Sequence, residues 1–292
     1  MAGTSTLIPS RHPGALGGPT ARSGIVLVYA ALTLAVGSVA GASPTTVTVQ
    51  VASPPEERTD LLRVLGDGVV GSSEQAVPLS GVSTLAGWET GEWQYRITAG
   101  PRRGQIEVES VAPIGASARD ETWKRTIGRE STLYLRETGD GSLVLPSQIT
   151  HPHRAVVYFE PPLIYLMAGM APGEAQRFEG RMDVHSANNP AVKWYSGTIR
   201  ATTVYAGVYR IRTPAGAFQA SLIKTEYEID ILSVVSVRDT LYTFYAPGVG
   251  KVAEAEHRRI TAAGVFRSDT KTGKVLLAYP ALSRPIDTQQ AP

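Results

Sequence analysis

The chain has 292 residues, 42% hydrophobic and 18% charged, with 29 glycines, 20 prolines and no cysteine. This composition excludes a disordered polyelectrolyte, a disulfide scaffold, a thiolate metal site and a lipid-modified N-terminal cysteine. The formal charge of +2 comes from Arg11 and Arg22, in a leader without acids, so the remaining chain is neutral and offers nucleic acid no electrostatic footprint.

Residues 1–23 are rich in Gly, Pro, Ser and Thr and read as a disordered cytoplasmic leader. Gly24–Ala42 then runs nineteen residues without a charge and ends in Ala40-Gly41-Ala42, which fits the A-x-A pattern of signal-peptidase sites. The positive charge ahead of it orients the N-terminus to the cytoplasm. Residues 24–42 are therefore a signal peptide, or a membrane anchor if uncleaved, since the length just spans a hydrocarbon core. Either reading puts the rest of the chain in the periplasm or on the extracytoplasmic face of the membrane.

Residues 43–85 read as a flexible tether. Within them Glu56–Leu65 is a short helical candidate with Leu61, Leu62 and Leu65 on one face, ended by Gly66, Gly68 and Gly71. Residues 86–282 form the β-rich domain, and residues 283–292 a disordered tail.

Inside that domain the hydrophobic period is two. Trp93, Tyr95 and Ile97 alternate with charged and polar residues, as do Phe178, Met182 and Val184, Tyr209 and Ile211, and Tyr227, Ile229 and Ile231. Ile106 and Val108 alternate with Gln105, Glu107 and Glu109, which assigns the aliphatic pair to the core. One wet and one buried face is the mark of antiparallel sheet. Turn residues separate the runs, and Asp140-Gly141 is the clearest hairpin. One stretch departs from the pattern. Leu163–Met170, bounded by Pro161-Pro162 and Pro172-Gly173, is read as two turns of helix, although periodicity does not separate it from a buried strand. Tyr242 and Phe244, opposite Leu241 and Tyr245, imply a strand buried on both faces. Ten to twelve strands make a curved antiparallel sheet or barrel with one or two short helices.

Candidate chemistry is sparse. His151 and His153 share a face if extended and could join Asp183 or His185 around a metal, but Pro152 between them favours a surface loop. His257 lies in the solvated charge cluster Glu256–Arg259, and Glu226, Glu228 and Asp230 line one strand face as a solvated outer row. Neither a G-x-S-x-G elbow nor an H-E-x-x-H helix is present. Gly248 and Gly250 lack the spacing of a phosphate loop and read as a strand bulge or close backbone approach.

Two stretches carry a resemblance. Val156–Leu163 with Ala171–Glu174 is one. Gly207–Phe218, including Thr213-Pro214-Ala215-Gly216-Ala217-Phe218, together with Phe244–Val252, is the other. Together they resemble a family of exported bacterial proteins of unknown function, marked by a T-P-A-G-x-F turn and a Y-x-x-G-V-G-x-V strand, over roughly Trp88–Tyr279. The resemblance implies an antiparallel half-barrel similar to periplasmic lipoprotein carriers. It brings no catalytic residues, so none is assigned, nor any cofactor or metal. The expected function is that of an exported, non-enzymatic envelope protein binding an apolar or lipid ligand, with membrane contact through 24–42 if uncleaved. A structural or interaction protein of the envelope, without a small ligand, is the alternative.

Overall fold

Hairpin follows hairpin along this chain, so the sheet grows by simple addition until it meets itself. The computed structural model describes residues 60–87, 89–115, 122–232 and 234–280. The leader, the apolar segment 24–42, residues 43–59 and the tail 283–292 lie outside the described residues. The strands are β1 (Val70–Glu74), β2 (Gly91–Ala99), β3 (Ile106–Ile114), β4 (Thr122–Ile127), β5 (Ser131–Glu137), β6 (Leu143–Thr150) and β7 (Ala155–Leu166). They continue as β8 (Ala175–Ser186), β9 (Lys193–Thr213), β10 (Gly216–Ile231), β11 (Val235–Ala246), β12 (Gly250–Ala262) and β13 (Phe266–Ala278). A single helical turn, α1 (Val82–Leu85), and the 3-10 turn Arg63–Leu65 precede β2.

All pairings are antiparallel. The ring runs from β9 through β13 to β2 and on to β8, which pairs with β9 and closes twelve strands into a barrel. The half-barrel expectation is thereby corrected. Closure rests on the 21 residues of β9: its first half pairs with β8, its second half with β1, and its other edge with β10 throughout. A barrel leaves far less open sheet edge than a half-barrel, and so less backbone to template aggregation.

Two sequence expectations change here. Leu163–Leu166 is strand, because β7 runs through both prolines rather than giving way to a helix. Pairing with β8 stops at Glu160, and the register with β6 slips between Leu145↔Leu163 and Ser147↔Tyr158. The prolines therefore sit where the ladder asks for no N–H. On β3 the faces are inverted. Glu107 and Glu109 are 4% and 0% exposed, whereas Ile106 is 60% exposed. The other alternating runs keep the faces expected of them: Trp93, Tyr95, Ile97, Met182, Val184, Tyr227, Ile229 and Ile231 are all buried.

Two apolar clusters result. The larger fills the barrel with residues such as Leu133, Leu145, Val157, Met182, Ile199 and Ile229. The smaller joins Leu61 and Leu65 to Tyr209, Leu222, Tyr242, Phe244 and Val275, the outward positions of β9–β13. Phe244 is thus buried on the outside while its neighbour Tyr245 is buried within, the two-sided burial expected of this strand. From Asp60 onward the segment read as a tether packs on the barrel: Leu61 and Leu65 cover its wall, and β1 extends its sheet.

Leu79, Val82 and Leu85 close one end of the barrel. Leu79 exchanges backbone hydrogen bonds with the β7–β8 loop (Leu79 N to Met170 O, 2.9 Å; Gly169 N to Leu79 O, 2.8 Å). Gly248 N donates to Thr84 O at 3.1 Å, tying the β11–β12 turn to the same cap.

Candidate functional site: the open mouth of the barrel

Antiparallel neighbours put alternate connections at the same end. The β2–β3, β4–β5, β6–β7, β8–β9, β10–β11 and β12–β13 connections therefore share the end opposite the cap. Here a cavity of about 360 Å³ opens between Pro101, Arg102, Glu130, Pro152 and His153 of the first three turns and the inward side chains of β12 and β13. Ile97, Ile127 and Ile260 supply its apolar wall, and Glu107, Glu254, Glu256, Arg258 and Lys274 its charged one. The volume lies near the lower bound for small-molecule pockets.

Beneath this cavity the barrel interior is ionic. Glu109 receives Lys251 at 2.8 Å, Arg125 at 2.8 Å and Lys274 at 3.0 Å. Lys274 also reaches Glu107 at 2.8 Å and Glu254 at 3.1 Å, while Arg102 closes over Glu107 from the rim at 2.6 Å. Burial alone would push the Glu109 carboxyl up, but Lys251, Lys274 and Arg125 hold it well below the usual carboxylate range. Burial would likewise lower Lys274, yet Glu107, Glu109 and Glu254 raise it well above an ordinary lysine. This explains the inverted face of β3: three cations on other strands make its inward positions acidic.

A second group lies along β11 and β12. Arg258 donates to Asp239 at 2.8 Å and also pairs with Glu256. Burial, with Glu256 adding to it, drives the Asp239 carboxyl well above its ordinary range despite Arg258. Its Oδ1 accepts no hydrogen bond among the described residues. Ser131, fully buried at the start of β5, lines the cavity with its Oγ likewise unpartnered.

The residues singled out from sequence fall elsewhere or divide. His151 and His153 occupy the β6–β7 turn, as the loop reading has it. His151 Nε2 lies 2.9 Å from Thr132 Oγ1, and His153 lines the cavity. Asp183 pairs with Arg181 and Lys193, and His185 Nδ1 lies 2.7 Å from Pro190 O. Among the described residues no three His, Asp or Glu side chains converge as a metal-ligand set. The cluster Glu256–Arg259 is not uniformly solvated: Glu256 and Arg258 face the cavity, while His257 meets Asp269 at 2.9 Å outside. Glu226, Glu228 and Asp230 form the expected outer row, paired with Lys224, with Arg200 and Arg238, and with Arg200.

Sequence reading missed the cavity wall. The available signal was cationic: Lys251 runs straight into Val252-Ala253 and Lys274 into Val275-Leu276-Leu277.

The two motifs are architectural in this fold. Thr213–Phe218 is the β9–β10 turn, in which Ala215 N donates to Thr213 Oγ1 at 3.2 Å. Gly248 belongs to the β11–β12 turn rather than to a strand, with φ +71°. Gly250, at φ +91°, opens β12 beside a register shift and lies against Gly87.

Among the described residues no helix is long and apolar enough to cross a membrane. No protein-family model matches the chain, and no curated protein does. Among solved structures, the chain is similar to a candidate exported protein with YmcC-like fold from Bacteroides fragilis. The identity is 16% and the TM-score 0.41, over 66% of this chain and 96% of that one. It is also similar to a candidate lipoprotein from Parabacteroides distasonis, at 10% identity and TM-score 0.35, over 71% and 100% of the two chains. A third similarity is to the hypothetical lipoprotein YmcC of Escherichia coli, at 12% identity and TM-score 0.34, over 77% and 97%.

Proposed function

We propose that the chain is an extracytoplasmic, non-enzymatic binding barrel whose mouth holds one small amphipathic molecule. The observation that carries the reading is the cavity wall. An apolar part would rest on Ile97, Ile127 and Ile260, and polar groups would meet Arg102 and Glu130 at the rim and Glu256 and Arg258 on β12. Polar groups converging beside an apolar wall are what fixes the orientation of a small bound molecule. The expectation of a lipid ligand narrows accordingly: a volume of about 360 Å³ suits a single-chain or headgroup-sized molecule rather than a whole diacyl lipid. The interior below the cavity is filled by side chains, which supports the second reading, an envelope protein without a small ligand. Native mass spectrometry of the protein purified gently from its own envelope separates the two. The binding reading expects one small adduct, absent from Ser268→Trp, which fills the cavity from β13 without removing a buried charge. An adduct that persists in that variant, or none in either chain, overturns it.

A further inference from the structure

Around the open mouth the six connections fall into two halves, and the division follows ring order. The β2–β3, β4–β5 and β6–β7 turns carry Arg102, Arg103, Arg129 and Arg154, with Glu130 their only acid. Arg103, Arg129 and Arg154 are exposed and form no ion pair among the described residues. The β8–β9, β10–β11 and β12–β13 connections carry no charge. They present Val192, Leu232, Val234 and Val265 to solvent, Val265 with 86% of its surface exposed. At the capped end the described connections between strands hold Glu89, Asp140 and Glu174 and no lysine or arginine, residues 116–121 of the β3–β4 connection lying outside the described residues.

The backbone shows the same bias. Among the described residues, the non-glycine positions with left-handed φ are Arg154 (53°), Leu232 (51°) and Ala263 (50°), all in mouth connections. Glycine or asparagine is the ordinary occupant of that conformation. An exposed leucine there is strained and buries nothing within the barrel.

We propose that the mouth is a docking surface for an anionic lipid membrane, with the aliphatic tips entering the acyl boundary and the arginines meeting headgroup phosphates. Charge complementarity selects this partner: a basic, aliphatic end and an acidic, capped end orient the barrel mouth-down on a negative surface. The tips also match it in form. Four exposed branched side chains stand on three hairpins, two of them tied by Ala263 N donating to Val234 O at 2.7 Å, so that they can enter the headgroup boundary as one aliphatic edge. This inference does not depend on the ligand reading, since an empty cavity would leave the rim unchanged.

The absence of native cysteine makes the test clean, because Val265→Cys and Asp140→Cys each accept a single environment-sensitive dye. The full chain is reconstituted into vesicles of phosphatidylcholine alone, or of phosphatidylcholine mixed with phosphatidylglycerol. The expected result is a blue shift at position 265 in the mixed vesicles that fades with added salt, and no shift at position 140. Replacing Arg103, Arg129 and Arg154 together by glutamine abolishes the shift while leaving the thermal melt unchanged. Equal emission at position 265 in the two vesicles, an equal shift at position 140, or a shift that survives the triple replacement overturns the proposal. So does a 265 label that responds only when a second protein is added, which would assign the rim to a protein partner.

Discussion

The Glu109 carboxylate meets the Lys251 ammonium at 2.8 Å, and neither side chain exposes more than 1% of its surface. Arg125 and Lys274 share the same carboxylate, so its removal strands buried cations rather than a single bond. Glu109→Gln is expected to cost about 3–5 kcal/mol, the range for breaking a buried pair from one side. Urea melts at neutral pH measure it.

The same carboxylate shapes the acid limb of stability. Its pKa in the fold lies well below the unfolded value of ~4.3, so its contribution is complete above that pH and is lost as pH falls through the folded value. Melts taken through the acid range should show the parent losing stability that Glu109→Gln does not lose. Parallel curves would show that Glu109 has no such role.

Asp239 has the opposite sign. Burial raises its carboxyl, so the folded state favours the proton, and the associated stability is greatest below the unfolded value of ~3.9 and declines as pH rises. A proton on Asp239 would also give Oδ1 a donor role. Asp239→Asn keeps an acceptor for Arg258 and a donor for Glu256. Its stability at pH 8 is expected to equal or exceed that of the parent, with a flatter profile above pH 5, as read by thermal melts across that range.

Gly250 tests the contact between the barrel and its cap. A Cβ there would lie 3.1 Å from both Ala86 O and Gly87 Cα, at a backbone conformation of φ +91°. Gly250→Val is expected to destabilise by about 1–3 kcal/mol through backbone strain. A urea melt that overlays the parent would remove the close approach as the reason for glycine.

Leu79 is the apolar centre of the cap, 5% exposed within the main core. Leu79→Ala is expected to cost about 2–5 kcal/mol, as for other buried leucines truncated in a core. Proteolysis should then begin in the 75–87 segment, with the strands still protected.

Much of the strand pattern was legible because one buried face forces alternation, as in Trp93-x-Tyr95-x-Ile97 and Tyr227-x-Ile229-x-Ile231. Alternation has no sign of its own, however. On β3 it assigned Ile106 and Val108 inward, because Lys251 and Lys274, which make the acidic face the buried one, lie far along the chain. Leu163–Leu166 lost its alternation because all four side chains are buried, which leaves strand and helix alike in sequence. The cap was hidden in a stretch that looked like linker, since its few apolar residues matter only where a barrel end receives them. The mouth cavity was the least legible part. Its charged wall alternates with solvent-facing charges on β12, so Glu256 and Arg258 read the same as His257 and Arg259.

Ring closure joins the two ends of the described fold. β2, near the start, pairs with β13, the final strand, through contacts such as Ile97↔Lys274 and Tyr95↔Leu276. Until β13 has emerged, Glu107 and Glu109 have no Lys274, and during synthesis every earlier strand must wait beside an unfilled seam. Such late, long-range pairing makes folding slow and leaves the incomplete sheet with sticky edges. A chain cut short before Lys274 would therefore forfeit the ring as well as its last strand, leaving the acids of β3 facing an interior with too few cations to hold them.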